Sequence, residues 1–312
     1  MPFRWPNWAQ ITYRIYRLRR LIAFAVLVAA TILGLVAVLD PATLPLARAH
    51  NIFLLVSAGI CLHVVLFPNV PIETLSLSVS MTSFLIVMPL LHSLADMVPA
   101  PYRDPALVLL VFLAVLLIVV ATLITHFVFE VFAYIGPPVQ LRLNASITVP
   151  YGIATASQQF GLRPDTRRGR VMAGPVDDQG FFDVAVVSQH ENDPDDPTQP
   201  LVVKIDAKVL QSDDERHEVM LVLANGAVTV TTYRFYPDGE GCRVSITELP
   251  GDFTMGMHAI FWLTDQQTDN LVEVAELLEP GPSCANGMAH GVSLLSLAGI
   301  ILHPRHPALD RF

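Results

Sequence analysis

The chain has 312 residues, 53% of them apolar and only 15% charged, with a mean hydropathy of +0.50; that length points to about two domains, and that hydropathy excludes a purely soluble protein. Residues 1–139 carry seven Lys or Arg against five Asp or Glu, whereas residues 140–285 carry ten against twenty-two. An acidic half of that kind repels the phosphate backbone that dominates nucleic-acid affinity, so a nucleic-acid partner is excluded.

Residues 1–20 read as a short amphipathic lead-in, with Trp5, Trp8, Tyr13 and Tyr16 set beside arginines in the manner of an interfacial belt. Residues 21–136 follow as a helical membrane bundle. Its first span, 21–39, has no charge over a length that suffices to cross the hydrocarbon core. Further spans are predicted over about 51–67, 80–98 and 106–129, and prolines such as Pro41, Pro68, Pro99 and Pro137 punctuate them. Arg4, Arg14, Arg17, Arg19 and Arg20 precede the first span, whereas the outward loops show only Arg48 or Arg103. The amino terminus is therefore expected to face the cytoplasm, and four crossings return the chain to that side. The protein is expected in an inner or plasma membrane, in contact with its lipids.

Ionisable residues inside a membrane are functional suspects. His126 and Glu130 are four apart on one helical face, a spacing open to a metal or a proton relay and equally to two side chains reaching water at the end of a span. His63 and His92 stand on different helices, without the further signature a haem would need. The bundle shows no internal repeat of the transporter kind and reads as an anchor or an oligomerisation bundle.

From residue 140 the hydrophobic period changes from helical to alternating. Residues 140–149 form a strand with one buried face, 151–163 a short helix, and the runs 181–189, 201–210, 217–224, 227–236 and 242–249 five more strands, separated by acidic or Gly-containing turns. Residues 257–279 carry the apolar stripe of one long amphipathic helix. The fold class expected is α+β.

The segments SITVPYGIATASQQF (146–160), VTVTTYRFYPDGEGCRVSITEL (228–249) and FWLTDQQTDNLVEVAELLE (261–279) carry a resemblance to the START-like superfamily of polyketide cyclases, lipid-transfer START domains and birch-pollen-allergen-type proteins. The resemblance covers about 140–280 and implies a helix-grip fold, an antiparallel sheet wrapped around a long carboxy-terminal helix, with an apolar cavity between them. It implies a hydrophobic small molecule or lipid as partner, and binding rather than catalysis as the norm. In such a fold Phe182, Val184 and Tyr233 on strands and Ile260, Leu263 and Gln267 on the closing helix would line the pocket, with His258 and Trp262 near its mouth. The chain departs from the superfamily in its membrane half, in the acidic stretch 190–200 and in a tail, 281–312, which argues against a freely diffusing carrier.

Arg167, Arg168 and Arg170 form the one basic cluster of this half and read either as a solvated turn or as a contact for anionic headgroups. The tail's apolar stretch, about 287–303, is read as an interfacial helix, with a fifth span as the alternative. No nucleophile elbow, phosphate loop or metal motif occurs, the acidic run lacks the spacing of a calcium loop, and Cys61, Cys242 and Cys284 form no CxxC pair. No metal, cofactor or catalytic residue is assigned. The expected function is a membrane-anchored cytoplasmic module that binds an apolar ligand without chemistry. A cyclase- or aromatase-like enzyme, marked by a polar pair facing the cavity, and a protein-interaction scaffold without a cavity, its protein partner unassigned, stay open.

Overall fold

The computed structural model describes residues 5–42, 44–99, 103–169, 171–193, 196, 199–278 and 284–285. It divides into two compact units: Arg14–Ile135, and the rest of the described chain.

The first unit is helical. After α1 (Trp8–Arg17) come α2 (Arg19–Leu39), α3 (Leu46–Leu66), α4 (Pro71–Asp96) and α5 (Arg103–Tyr134). Helices α2, α3 and α5, and the Pro71–Pro89 part of α4, are each long and apolar enough to cross a membrane. Val108, Phe112, Leu116, Ile124 and Phe127 of α5 lie exposed, and so large an uncovered apolar face is foreign to a water-soluble monomer. Helix α4 begins well before the span expected from residue 80, because its early Ser and Thr residues, polar on paper, satisfy themselves within the helix. Ser76, Ser80, Thr82 and Ser83 each donate to the carbonyl four residues back, the bond by which hydroxyls are accommodated in helices. Arg14 and Arg17, expected among the charges at the bundle's edge, are buried, and Arg14 donates to the Val65 carbonyl.

The second unit holds one antiparallel sheet of eight strands: β1 (Leu143–Val149), β2 (Arg167–Arg168), β3 (Val171–Val176), β4 (Phe182–Asn192), β5 (Pro200–Ser212), β6 (Arg216–Val222), β7 (Val228–Asp238) and β8 (Gly241–Leu249). Their order across the sheet is β1-β8-β7-β6-β5-β4-β3-β2. Three helices join it, α6 (Ile153–Phe160), α7 (Met255–Thr264) and α8 (Gln266–Glu276), so the chain is α+β. Hairpin connections set this topology; the β6–β7 turn runs through Asn225 and Gly226, whose φ of 80° suits glycine.

Two elements differ from the sequence expectation. Residues 167–176 pair as β2 and β3 where a turn was expected; Gly174 and Pro175 break the alternation, and the β3–β4 register shifts between Ala173 and Val176. The single closing helix is instead two, parted at Asp265, whose φ of 51° and ψ of 40° lie in the left-handed region. Asp265 holds this break locally, its carbonyl accepting from the Thr268 N–H and its carboxylate from the Thr268 hydroxyl. Asp tolerates that conformation better than most residues.

The core of this unit is in two parts. Val149, Phe160, Phe235, Val244, Ile246 and Leu271 pack α6 and α8 against β1, β7 and β8. Phe182, Val184, Ala207 and Val219 pack across β4, β5 and β6.

Candidate functional site

Between these two core clusters lies a cavity of about 280 Å³. The sheet supplies Val171, Val184, Val186, Ile205, Val219, Leu221, Thr231 and Tyr233; α6 supplies Phe160; α8 and its end supply Asn270, Glu273, Val274 and Leu277; and the segment between α6 and β3 adds Leu162, Thr166, Arg168 and Gly169. Strand alternation accounts for the wall, since Val184 and Val186, Val219 and Leu221, and Thr231 and Tyr233 are two apart and face one side.

The wall is mostly apolar, and its charged and polar groups converge from β2, β7 and α8. Arg168 donates from Nη2 to the Gly161 carbonyl at 2.5 Å, and among the described residues no carboxylate lies within ion-pair distance of it. Burial lowers its proton affinity, as does the Arg163 charge nearby, while Tyr233 acts in the opposite sense. Burial, reinforced by the Glu248 charge, pushes the Tyr233 phenol up to about 12, against a smaller opposing effect of Arg168. The phenol therefore stays protonated at any physiological pH and serves as a donor.

His217 props this corner. Its Nε2 lies 2.9 Å from the Leu162 carbonyl, which can only accept, so Nε2 carries a proton; Nδ1 lies 3.0 Å from Ser212 Oγ. The ring is fully buried, and burial pulls its pKa down, with Arg163 and Arg168 adding to the effect and the Leu162 carbonyl opposing it. Gly161 makes this fit possible, because a Cβ there would sit 2.5 Å from His217 Cδ2. A ring thus holds the loop whose carbonyl holds Arg168.

Of the residues expected from the sequence, Val184 and Tyr233 face the cavity. Phe182 is buried in the β4–β6 core. His258, Ile260, Trp262 and Leu263 all lie on α7, outside the cavity wall. His258 is buried and its Nε2 donates to the Val139 carbonyl at 2.7 Å; Leu263 is buried, Ile260 half-buried and Trp262 exposed. Gln267, on α8, donates to the Glu248 carboxyl, and burial raises the pKa of that carboxyl. Within the basic cluster, Arg168 reaches the cavity while Arg167 is exposed; Arg170 lies outside the described residues, as does the apolar stretch 287–303. Sequence reasoning missed Arg168 as a cavity residue, and also Asn270, Glu273 and Val274. Its single-helix reading set the stripe of 257–279 one segment too early; with the break at Asp265 known, the inward positions move onto α8.

In the helical unit, His63 is buried, with Nε2 2.9 Å from Glu73 Oε1 and Nδ1 3.1 Å from Thr74 Oγ1. The side chain of His92 lies outside the described residues. Glu130 is exposed, and the His126 ring is half-buried. Among the described residues no three His, Cys, Asp or Glu side chains form a group able to hold a metal.

No family model matches the chain, and no curated protein is similar to it. Several solved structures are similar to part of it. A protein of Chromobacterium violaceum matches at 15% identity over 45% of this chain and 98% of its own, with a TM-score of 0.33. Ara h 8.0201 matches at 8% identity over 44% and 96%, with a TM-score of 0.32. A protein of Staphylococcus epidermidis matches at 12% identity over 45% and 91%, also with a TM-score of 0.32.

Proposed function

We propose that the chain is a membrane-anchored module whose second unit is a helix-grip domain, facing the cytoplasm with the amino terminus, and that it binds a hydrophobic small molecule in the cavity between the sheet and α8. The observation that carries this reading is the cavity itself: about 280 Å³ of mostly apolar wall, where close packing ordinarily leaves few voids larger than a water molecule. Apolar concavities with a few converging polar groups are the usual form of a small-molecule site. The orientation rests on the five arginines that precede the first span.

The pair Arg168 and Tyr233 on the cavity wall favours a second reading, the cyclase-like enzyme. General acid–base work, however, is best done by a group whose pKa lies near the working pH. Arg168 cannot give up its proton in a protein, and Tyr233 keeps its own to about 12. Both are suited to donating hydrogen bonds rather than to moving protons, so binding is the better-supported function.

The test is mass spectrometry of small molecules extracted from the purified full chain. A stoichiometric apolar compound, above the level of bulk membrane lipid, is expected. A chain that carries nothing, and takes up nothing when incubated with a membrane extract, contradicts the reading.

A further inference from the structure

Arg168 is an unusual side chain to find on an apolar cavity wall. A guanidinium drawn partly out of water is ordinarily matched by a carboxylate; Arg168 is half-buried, yet the one hydrogen bond it makes among the described residues goes to a neutral carbonyl, that of Gly161. Glu273, a carboxylate that shares the wall, is engaged in an interaction of its own. A second cation, Arg163, acts on Arg168 and adds to the effect of burial. Arg168 lines the cavity and its remaining N–H groups have no hydrogen-bond partner among the described residues; the Tyr233 hydroxyl, on the same wall, likewise has none. Two donors, one charged and one neutral, line one volume, and among the described residues no acceptor stands against either of them there. The rest of that volume is walled by Val186, Ile205, Val219 and Leu221, which offer nothing to a polar group.

Size narrows the occupant. At about 280 Å³ the cavity stands just below the range of small-molecule sites, about 300 to 1,000 Å³. Its size suits one chain or one compact ring system better than a lipid with two acyl chains.

We infer that the cavity recognises a single-chain amphiphile with an anionic end, a carboxylate or phosphate, held by Arg168 and the Tyr233 hydroxyl while its apolar part lies along the valine- and leucine-rich strands. This rests on the reading of the cavity as a binding site and adds the chemistry of what it binds. The planar guanidinium fork is matched to both kinds of anion, and a protonated phenol adds a third donor. The same ligand supplies the negative charge that Arg168 lacks, so binding removes an unfavourable feature of the empty protein.

The experiment is calorimetric titration of the full chain in phosphatidylcholine nanodiscs, at about pH 8 so that a carboxyl group is ionised, with protein-free nanodiscs as the blank for partitioning. Decanoate, decyl phosphate and decanol are compared. At least one anion is expected to bind about ten- to a hundred-fold more tightly than decanol, the scale of hydrogen bonds to charged groups, and which anion is preferred identifies the end group. Arg168→Gln should bring that anion down to the level of decanol, and Tyr233→Phe should weaken it several-fold with decanol unchanged. If Arg168→Gln does not fold, the decanol comparison on the unmutated chain and the Tyr233→Phe variant decide. Decanol binding as tightly as both anions, or an anion affinity indifferent to both substitutions, overturns the inference and leaves the cavity a binding site for neutral apolar molecules. Binding of none of the three overturns the cavity reading as well.

Discussion

The polar groups inside the helical unit and those on the cavity wall of the sheet unit are treated differently. In the helical unit the hydroxyls of Ser76, Ser80, Thr82, Thr122 and Thr125 each donate to a carbonyl one turn back, and Ser78 reaches the Ala25 carbonyl of α2 at 2.6 Å. Every one of these groups is satisfied by the protein itself, as a low-dielectric interior requires. In the sheet unit, Arg168 and Tyr233 present donors to a cavity instead. The contrast separates polar residues that complete a structure from polar residues that, on the function proposed above, await a partner.

Four measurements can break or sharpen that contrast. The largest effect is expected where the helical unit departs from simple hydroxyl bonding, at the buried His63–Glu73 pair. Removing one partner of a buried hydrogen bond that involves a carboxyl group leaves the other unsatisfied at a cost of about 3 kcal/mol, so Glu73→Ala should lower the stability of the full chain in detergent by that order; a loss below about 1 kcal/mol would mean that water reaches the pair. Next is Gly161→Ala, whose new Cβ meets the His217 ring. Overpacking of this kind costs about 1–3 kcal/mol, and thermal unfolding of the variant should show it.

The third concerns pH. The pKa of His217 is lower in the folded chain than its ordinary 6.5, so the unfolded chain binds more protons in that range and stability rises with pH. The contribution is complete above about 6.5 and is lost as pH falls from there through the lowered folded value. Unfolding measured from pH 7.5 to 5 should show this decline, and His217→Gln should flatten it; an unchanged slope in the variant would assign the decline to other groups. The smallest effect is expected for Ser80→Ala. Thr122 keeps its bond to the Ile118 carbonyl when Ser80 Oγ is lost, and interhelical hydrogen bonds in membranes average about 0.6 kcal/mol. A loss several times larger would show that the hydroxyl stripe does more than complete the helices.

Much of the architecture was legible in the sequence because it rests on periodicity. The unbroken apolar run of 21–39 and the alternation of 227–236 each admit one regular structure, and helix α2 and strand β7 stand there. The cavity's polar corner was hidden for local reasons. Around Arg168, Pro164, Gly169, Gly174 and Pro175 erase the alternation that marks a strand, so β2 and β3 read as turn, and a guanidinium in a turn reads as solvated. The shift of the cavity wall from α7 to α8 turns on one residue, Asp265, whose left-handed backbone no hydrophobic pattern encodes. The His63–Glu73 contact joins two helices, and a single sequence carries no sign of which helices pack together.

The central claim is that the volume between the sheet and α8 is kept open for a ligand. Val186→Trp in the full chain tests it most directly, because Val186 lies on the cavity wall and the substitution adds a ring to that volume. If the space is a pocket, the ring enters it. Stability should then fall by less than about 1 kcal/mol, below the 1–3 kcal/mol of an overfilled core, and uptake of a radiolabelled medium-chain carboxylate in nanodiscs should be lost. Destabilisation of several kcal/mol, together with no uptake by the unmutated chain, would show a filled core with no binding site and contradict the account.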